Sequence, residues 1–224
     1  MKYAAYCGTK NIYGDMEMSA KSLAMHSDVD KIFFIGEGDF PDGLPYYVEC
    51  IDVSGQTFFK PDGPNMNSQY TYMTMMRAAL CHVLPVDKVL SLDADTVCLK
   101  DASGIWDIDV SGYYFSAAIE PHRSFGGLIY TNAGVTLFNL EKLRDGKADE
   151  VIDVLNTQRF CWVEQDAMNY LCQGRIVPML GDYNANDWVN YYDPIILHFA
   201  GKNDWRGHPE AQKYRNMAWS EVRK

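Results

Sequence analysis

Asp93 and Asp95 stand two residues apart in the stretch Val89–Lys100, VLSLDADTVCLK. Val89, Leu90 and Leu92 read as the end of a buried strand, so the carboxylates fall where that strand should stop. Two unpaired charges cannot sit in a core, because each would cost several kcal/mol. At a strand's carboxyl end they can instead meet a divalent cation and, through it, a phosphorylated ligand; open α/β sheets bind ligands at that edge. Hard oxygen donors suit Mg²⁺ or Mn²⁺. A D-x-D pair alone is equally well read as a capped turn with solvated acids, so the remaining residues have to decide.

The elements that would hold this pair alternate between strand and helix. Lys2–Tyr6, Lys31–Ile35 (KIFFI) and Tyr47–Val53 read as strands, with a helix over Met16–His26 that Asp15 can cap. Loops fill 36–45 and 55–67, the second long enough to suggest a function. Ser68 is expected to cap a long helix to about Leu84, in which Met73, Met76, Leu80 and Val83 recur at helical spacing and Arg77 interrupts the apolar run. Strands are expected over Tyr113–Ile119, Asn132–Leu140, Arg175–Leu180 and Ile195–Phe199. Helices are expected over Lys147–Asn156 and Val163–Cys172, with a C-terminal helix over 209–223 that Pro209 opens. The segment Pro121–Tyr130, with Gly126-Gly127, is expected to be mobile. This order predicts one α/β domain over 1–224, without internal repeat or convincing boundary.

Bulk properties narrow the class. The 224 residues carry a formal net charge of −10, which argues against nucleic-acid binding or an anionic-membrane clamp. The six cysteines are scattered without a C-x-x-C pair, which argues against a zinc site and fits reduced cytosolic thiols. The N-terminus lacks an apolar signal region, and no stretch approaches the roughly 20 apolar residues of a membrane span. The residues after Trp219 form no basic amphipathic tail, so a soluble, cytoplasmic protein without a stable membrane anchor is expected.

Five segments, in order, carry a resemblance: the helix with Arg77, DKVLSLDADT, TNAGVTLFNLEKLR, VEQDAMN and LHFAGKNDW. D-x-D, N-A-G-V, E-Q-D and H-x-x-G in this succession resemble glycosyltransferase family 8, the group that includes glycogenin and bacterial lipopolysaccharide galactosyltransferases. The resemblance implies a GT-A fold, a Rossmann-like, mostly parallel sheet flanked by helices with a smaller antiparallel piece. It also implies a retaining enzyme that moves a hexose, glucose or galactose, from a UDP-sugar to a carbohydrate or glycosylated acceptor, using Mn²⁺ with Mg²⁺ as an alternative.

By the same resemblance Asp93, Asp95 and His198 hold the metal. His198 on its own is also read as a satisfied core histidine; Gly201 and Lys202, which can bring backbone and a cation to the diphosphate, favour the metal. Arg77 is placed near the donor sugar and the aspartates, and Ala94 joins the donor contacts. Asn132 contacts the donor sugar, with Ala133 and Gly134 leaving room for its ring. Gln165 lies beneath the anomeric carbon with Asp166 hydrogen-bonded nearby. Glu164 stands where the family usually has aspartate, a change of more than about 1 Å at a carboxylate, the scale at which catalytic geometry matters. Glu120 falls where relatives carry an acid near the sugar. Ala5, Tyr6, Cys7 and Thr9 should hold uridine, mostly through backbone. No side chain stands out as a covalent nucleophile, so front-face departure and attack is the expected course.

Two rivals remain on sequence grounds. Asp93-Ala94-Asp95-Thr96 also satisfies the first motif of haloacid-dehalogenase phosphatases, although that motif normally lies near the N-terminus and N-A-G-V and H-x-x-G would go unexplained. A non-catalytic carbohydrate-binding protein on the same fold would use Trp162, Trp188, Tyr191, Tyr192 or Trp205 as stacking surfaces.

Overall fold

The computed structural model describes all residues except Phe125, Arg223 and Lys224. In chain order its strands and helices are β1 (Tyr3–Cys7), α1 (Tyr13–Met25), β2 (Lys31–Gly36), β3 (Val48–Asp52), α2 (Leu80–Val83), β4 (Lys88–Leu92), β5 (Thr96–Cys98), β6 (Phe115–Ile119), β7 (Thr131–Asn139), α3 (Leu140–Leu143), α4 (Lys147–Thr157), α5 (Val163–Leu171), β8 (Ile176–Met179), β9 (Ile196–His198), α6 (Pro209–Arg215) and α7 (Trp219–Val222). The large sheet runs β3-β2-β1-β4-β7-β6-β8, and β5 pairs with β9 in a separate two-stranded sheet. In the large sheet neighbours are parallel except where β7 lies between β4 and β6, and β5 and β9 are antiparallel.

Strand sequences explain why the sheet is covered on both faces. In β2, Phe33 and Ile35 join the core beneath α4 and α5, while Ile32 and Phe34 join the core beneath α1. All four are at most 2% exposed, which leaves a continuous apolar run rather than an alternating one. Each contributes about 1.5–3 kcal/mol by leaving water. Met16, Ala20 and Leu23 of α1 seal one face; Val151 and Leu155 of α4 and Ala167 and Met168 of α5 seal the other.

Three expected elements differ. The helix expected from Ser68 is a 3₁₀ segment, Tyr72–Ala79, leading into the single turn of α2, and it has no side-chain cap. Thr74 donates its hydroxyl to the Thr71 carbonyl at 2.9 Å, a local bond that competes with helical pairing. Asp15 does not cap α1, which begins at Tyr13; it lies in the first turn and takes two arginines. The C-terminal helix is two helices, α6 and α7; the break lets Ala218 N–H donate to Glu221 Oε1 at 2.8 Å, and residue 223 lies outside the described part. The segment expected to be mobile opens with a 3₁₀ turn, Pro121–Arg123, and contains the undescribed Phe125.

Candidate active site

The small sheet assembles the site. Strand β4 ends at Leu92; Asp93 N–H then donates to the Gly134 carbonyl of β7 at 2.8 Å, and the chain turns sharply into β5. Thr96 Oγ1 closes that turn on the Asp93 carbonyl at 2.8 Å. Because β5 and β9 pair with Thr96 opposite His198, the imidazole arrives beside the aspartates despite a separation of about a hundred residues. Phe199 N–H donates to the Asp95 carbonyl at 3.0 Å and fixes the register from the other side.

One ligating atom from each of Asp93, Asp95 and His198 lies within 4.8 Å of the others. His198 Nε2 is 3.6 Å from Asp93 Oδ2 and 3.4 Å from Asp95 Oδ1. Two carboxylates and one imidazole, with open space beyond, fit a hard or borderline divalent cation such as Mn²⁺ or Mg²⁺. Gly134 makes this approach possible: a Cβ there would sit 2.1 Å from the His198 ring. The space at Gly134, expected to receive a sugar ring, therefore receives the imidazole.

Arg77 organises the floor. Its guanidinium donates to Asp93 Oδ1 at 2.7 Å, to the Ala133 carbonyl at 2.8 Å, and to Glu164 Oε1. Glu164 is 3% exposed, and burial pushes its carboxyl up to about 7 against the pull of Arg77. The extra methylene of Glu164 thus ends in a buried fork with Arg77. Burial opposes charge on Arg77, but Asp93 and Glu164 outweigh it and hold the guanidinium above its ordinary value. Burial likewise opposes charge on His198, and the Asp95 carboxylate overrides it, so the imidazole is raised and Asp95 lowered. Cys7 lies near these charges, and burial pushes its thiol up to about 12, which keeps it neutral.

The EQD segment opens α5 at a backbone outlier. Val163 has φ +43°, rare for a β-branched residue and of the kind that clusters at functional sites. Trp162 N–H, at the N-cap of α5, donates to Asp166 Oδ2 at 2.8 Å, and Asp166 Oδ1 accepts from Tyr130 Oη. Gln165 Oε1 accepts from Ala133 N–H at 2.9 Å, and its Nε2 donates to Tyr130 Oη at 3.1 Å. Asn132 Nδ2 donates to Glu120 Oε1 at 2.7 Å.

These groups open onto a cleft of about 470 Å³. Arg77, Asp93, Asp95, Glu120, Asn132, Glu164, Gln165, His198 and Gly201 line it. Ala5, Tyr6, Cys7, Thr9, Ala94, Ala133, Asp166 and Lys202 do not. Ala5 and Tyr6 are buried, Tyr6 with its hydroxyl 3.1 Å from Ser19 Oγ. Thr9 donates to Asn11, and Lys202 Nζ donates to Asp187 Oδ1 at 3.2 Å at the rim. Sequence reasoning missed Arg123, whose guanidinium lies 4.5 Å from the Trp162 ring centre and 5.3 Å from that of Tyr130. It also missed Tyr70, whose ring lies 6.0 Å from Trp162, and Asn184 and Asn186 behind His198. A loop arginine and asparagines in an aromatic loop carry no periodic signal.

The profile of Glycosyl transferase family 8 matches residues 18–203. The chain belongs to this family. It is 27% identical over 235 residues to glycosyltransferase GlyE of Streptococcus pneumoniae, covering 91% of this chain and 56% of GlyE. It is 26% identical over 230 residues to glycosyltransferase GlyA of the same organism, covering 89% of this chain and 31% of GlyA. The chain thus spans about a third to a little over half of these relatives. Two structures of the galactosyltransferase LgtC, an active-site mutant and a complex with donor and acceptor sugar analogs, superpose with TM-scores of 0.74 and 0.71. Each covers 98% of this chain and 94% of LgtC, at 19% and 20% identity. The fold is therefore the expected GT-A arrangement, and the family assigns the DADT segment away from the phosphatase reading. No helix among the described residues is long and apolar enough to cross a membrane.

Proposed function

We propose that this chain is a metal-dependent, retaining glycosyltransferase that moves a hexose, glucose or galactose, from a UDP-sugar to a hydroxyl of a carbohydrate or glycosylated acceptor in the cytoplasm. The observation that carries the reading is the meeting of Asp93, Asp95 and His198 at one end of an acid-lined cleft in a family 8 chain. A bound Mn²⁺ or Mg²⁺ would supply Lewis-acid stabilisation of the departing UDP diphosphate.

The chain's own groups divide the remaining work. Arg77 fixes one oxygen of Asp93 and leaves the other facing His198. Asn132 and Gln165 present amides to the cleft while bonded behind to Glu120 and Ala133. Such preorganised dipoles lower a barrier without reorganising during the reaction. Gly201, on the cleft wall, brings backbone near the diphosphate, and Lys202 adds a cation once it releases Asp187. Ala5, Tyr6, Cys7, Thr9 and Ala94 are assigned to the nucleotide, Tyr6 by backbone because its ring is buried.

Retention by front-face attack needs no carboxylate free to form a bond to the sugar. Glu164 is committed to Arg77, and Asp166 to Trp162 and Tyr130, which supports that course. The acceptor proton then passes to the leaving phosphate oxygen. Trapping a glycosyl adduct on Glu164 or Asp166 would exclude it. The activity itself is tested by UDP release from UDP-glucose and UDP-galactose. Hydrolysis of p-nitrophenyl phosphate without UDP release would favour the phosphatase, and metal binding without turnover a carbohydrate-binding protein.

A further inference from the structure

Behind His198 lies a chain of buried amides whose direction can be read without placing a hydrogen. The segment 184–186 runs along β9: Ala185 N–H donates to the Ile196 carbonyl at 2.9 Å, and His198 N–H donates to the Ala185 carbonyl at 2.9 Å. This pins Asn184, which is wholly buried, with its Oδ1 2.8 Å from His198 Nδ1. Asn184 Nδ2 lies 2.9 Å from Asn132 Oδ1, and Asn132 Nδ2 lies 2.7 Å from Glu120 Oε1.

The far end sets the polarity. Glu120 pairs with Arg123 at 3.3 Å, and a carboxylate in an ion pair only accepts, so Asn132 must turn its NH₂ toward it. Asn132 Oδ1 then faces inward, where it also accepts from Gly134 N–H at 3.0 Å. Asn184 must meet that oxygen with its own NH₂, which leaves Asn184 Oδ1 for the imidazole. Asn186 Nδ2, 3.1 Å from the same Oδ1, agrees with this orientation; it also lies 3.4 Å from His198 Nδ1, a longer contact than the 2.8 Å between Nδ1 and Asn184 Oδ1. His198 must therefore carry a proton on Nδ1, which leaves Nε2, facing Asp93 and Asp95, as the nitrogen that can offer a lone pair to a metal.

We propose that Asn184 is a positioning residue for the metal site: it holds His198 in the Nδ1–H tautomer and links that choice, through Asn132, to the Glu120 carboxylate. The proposal rests on the metal reading above. A group that orients a ligating imidazole through its other nitrogen typically changes metal affinity by about 10–100-fold. Asn184 also ties the metal ligand to Asn132, so disturbing one end of the chain disturbs the other.

The test is Mn²⁺ binding, read from the free-ion electron paramagnetic resonance signal, with no turnover required. Asn184→Leu keeps the side chain's size and removes the acceptor; Asn184→Asp keeps the acceptor oxygen. The expected result is Mn²⁺ affinity weakened about 10–100-fold in Asn184→Leu and by a smaller factor in Asn184→Asp, which keeps the acceptor toward His198 but gives up the donor to Asn132 Oδ1. Equal binding by wild type and a folded Asn184→Leu variant overturns the relay and leaves the metal site standing. No Mn²⁺ binding by wild type overturns the metal reading and the relay with it. If Asn184→Leu does not fold, the tautomer decides: a long-range ¹H–¹⁵N correlation on Mg²⁺-loaded wild type should place the His198 proton on Nδ1, and a proton on Nε2 overturns the proposal.

Discussion

Two charge clusters in this molecule use carboxylates and arginine to opposite ends. Under the C-terminal helices, Asp15 of α1 is 4% exposed and meets two arginines, Arg206 Nη2 at 2.6 Å and Arg215. Cations outnumber the acid there, and Asp15 lies outside the lining of the cleft. At the cleft the balance is reversed: Asp93, Asp95 and Glu164 share one guanidinium, Arg77, and one imidazole. In the first cluster both Asp15 oxygens are taken by arginines, which joins α1 to the turn at Arg206 and to α6. The second has spare carboxylate oxygens facing an open cavity, which is what a cation site needs before its cation arrives. The surplus of acid over fixed cation, and not burial or hydrogen bonding alone, separates the candidate active site from the structural clamp.

That contrast breaks most visibly through the spare carboxylates. Asp95→Asn should lower metal-dependent UDP release by roughly 10²–10³, the usual loss when a charge-stabilising group is removed, with little change in melting temperature. Unchanged turnover would place Asp95 with the clamp rather than the site.

Arg77→Lys comes next. Lysine keeps the charge but cannot span Asp93, the Ala133 carbonyl and Glu164 at once. Losing bonds to buried charged partners should cost about 2–4 kcal/mol of stability in denaturant melts, together with activity. Stability at the wild-type value would show that the fork is dispensable.

Asp15→Asn should do the converse. Breaking a fully buried pair costs about 3–5 kcal/mol, but the Arg206 side chain is 52% exposed, so about 2 kcal/mol is expected, with kcat unchanged. A fall in kcat without loss of stability would dissolve the distinction between the clusters.

The smallest effect is a pH dependence. Burial holds Glu164 at about 7 in the folded protein, against 4.5 for an ordinary carboxyl. Between those values the folded state keeps a proton that the unfolded state has released. Its contribution to stability is therefore full below 4.5 and lost as pH rises through about 7. Arg77 and Asp93 are the charges that act on it, pulling down and pushing up respectively. Melting curves at pH 5 and pH 8 should show wild type losing on the order of 1–2 kcal/mol more than Glu164→Gln. Parallel pH profiles would mean that Arg77 keeps Glu164 ionised throughout.

Much of the layout is legible in the chain because it is written in local patterns. KIFFI and VLSL are apolar runs that only a sheet covered on both faces can use, and DAD at the end of VLSL marks the edge where the cluster forms. His198 was found through H-x-x-G in company with the other motifs, and the β5–β9 pairing supplies the physical link. What local pattern does not carry was missed. The Met73–Val83 stripe has helical spacing, but Thr74 bonds back to Thr71 and the segment tightens to 3₁₀, which sets where Arg77 points. Gly134 looked like space for a ligand and is space for His198, because the imidazole comes from a strand far along the chain. Asn184 ends a short 3₁₀ segment, Gly181–Asn184, among polar and aromatic residues, and only its burial shows that it must be bonded.

The most direct test is UDP release from UDP-glucose and UDP-galactose by the purified chain, with Mn²⁺ and then with excess chelator. The account predicts release from at least one of the two donors, abolished by chelator and restored by added Mn²⁺. Release that persists undiminished in chelator, or no release from either donor under any metal, would contradict it.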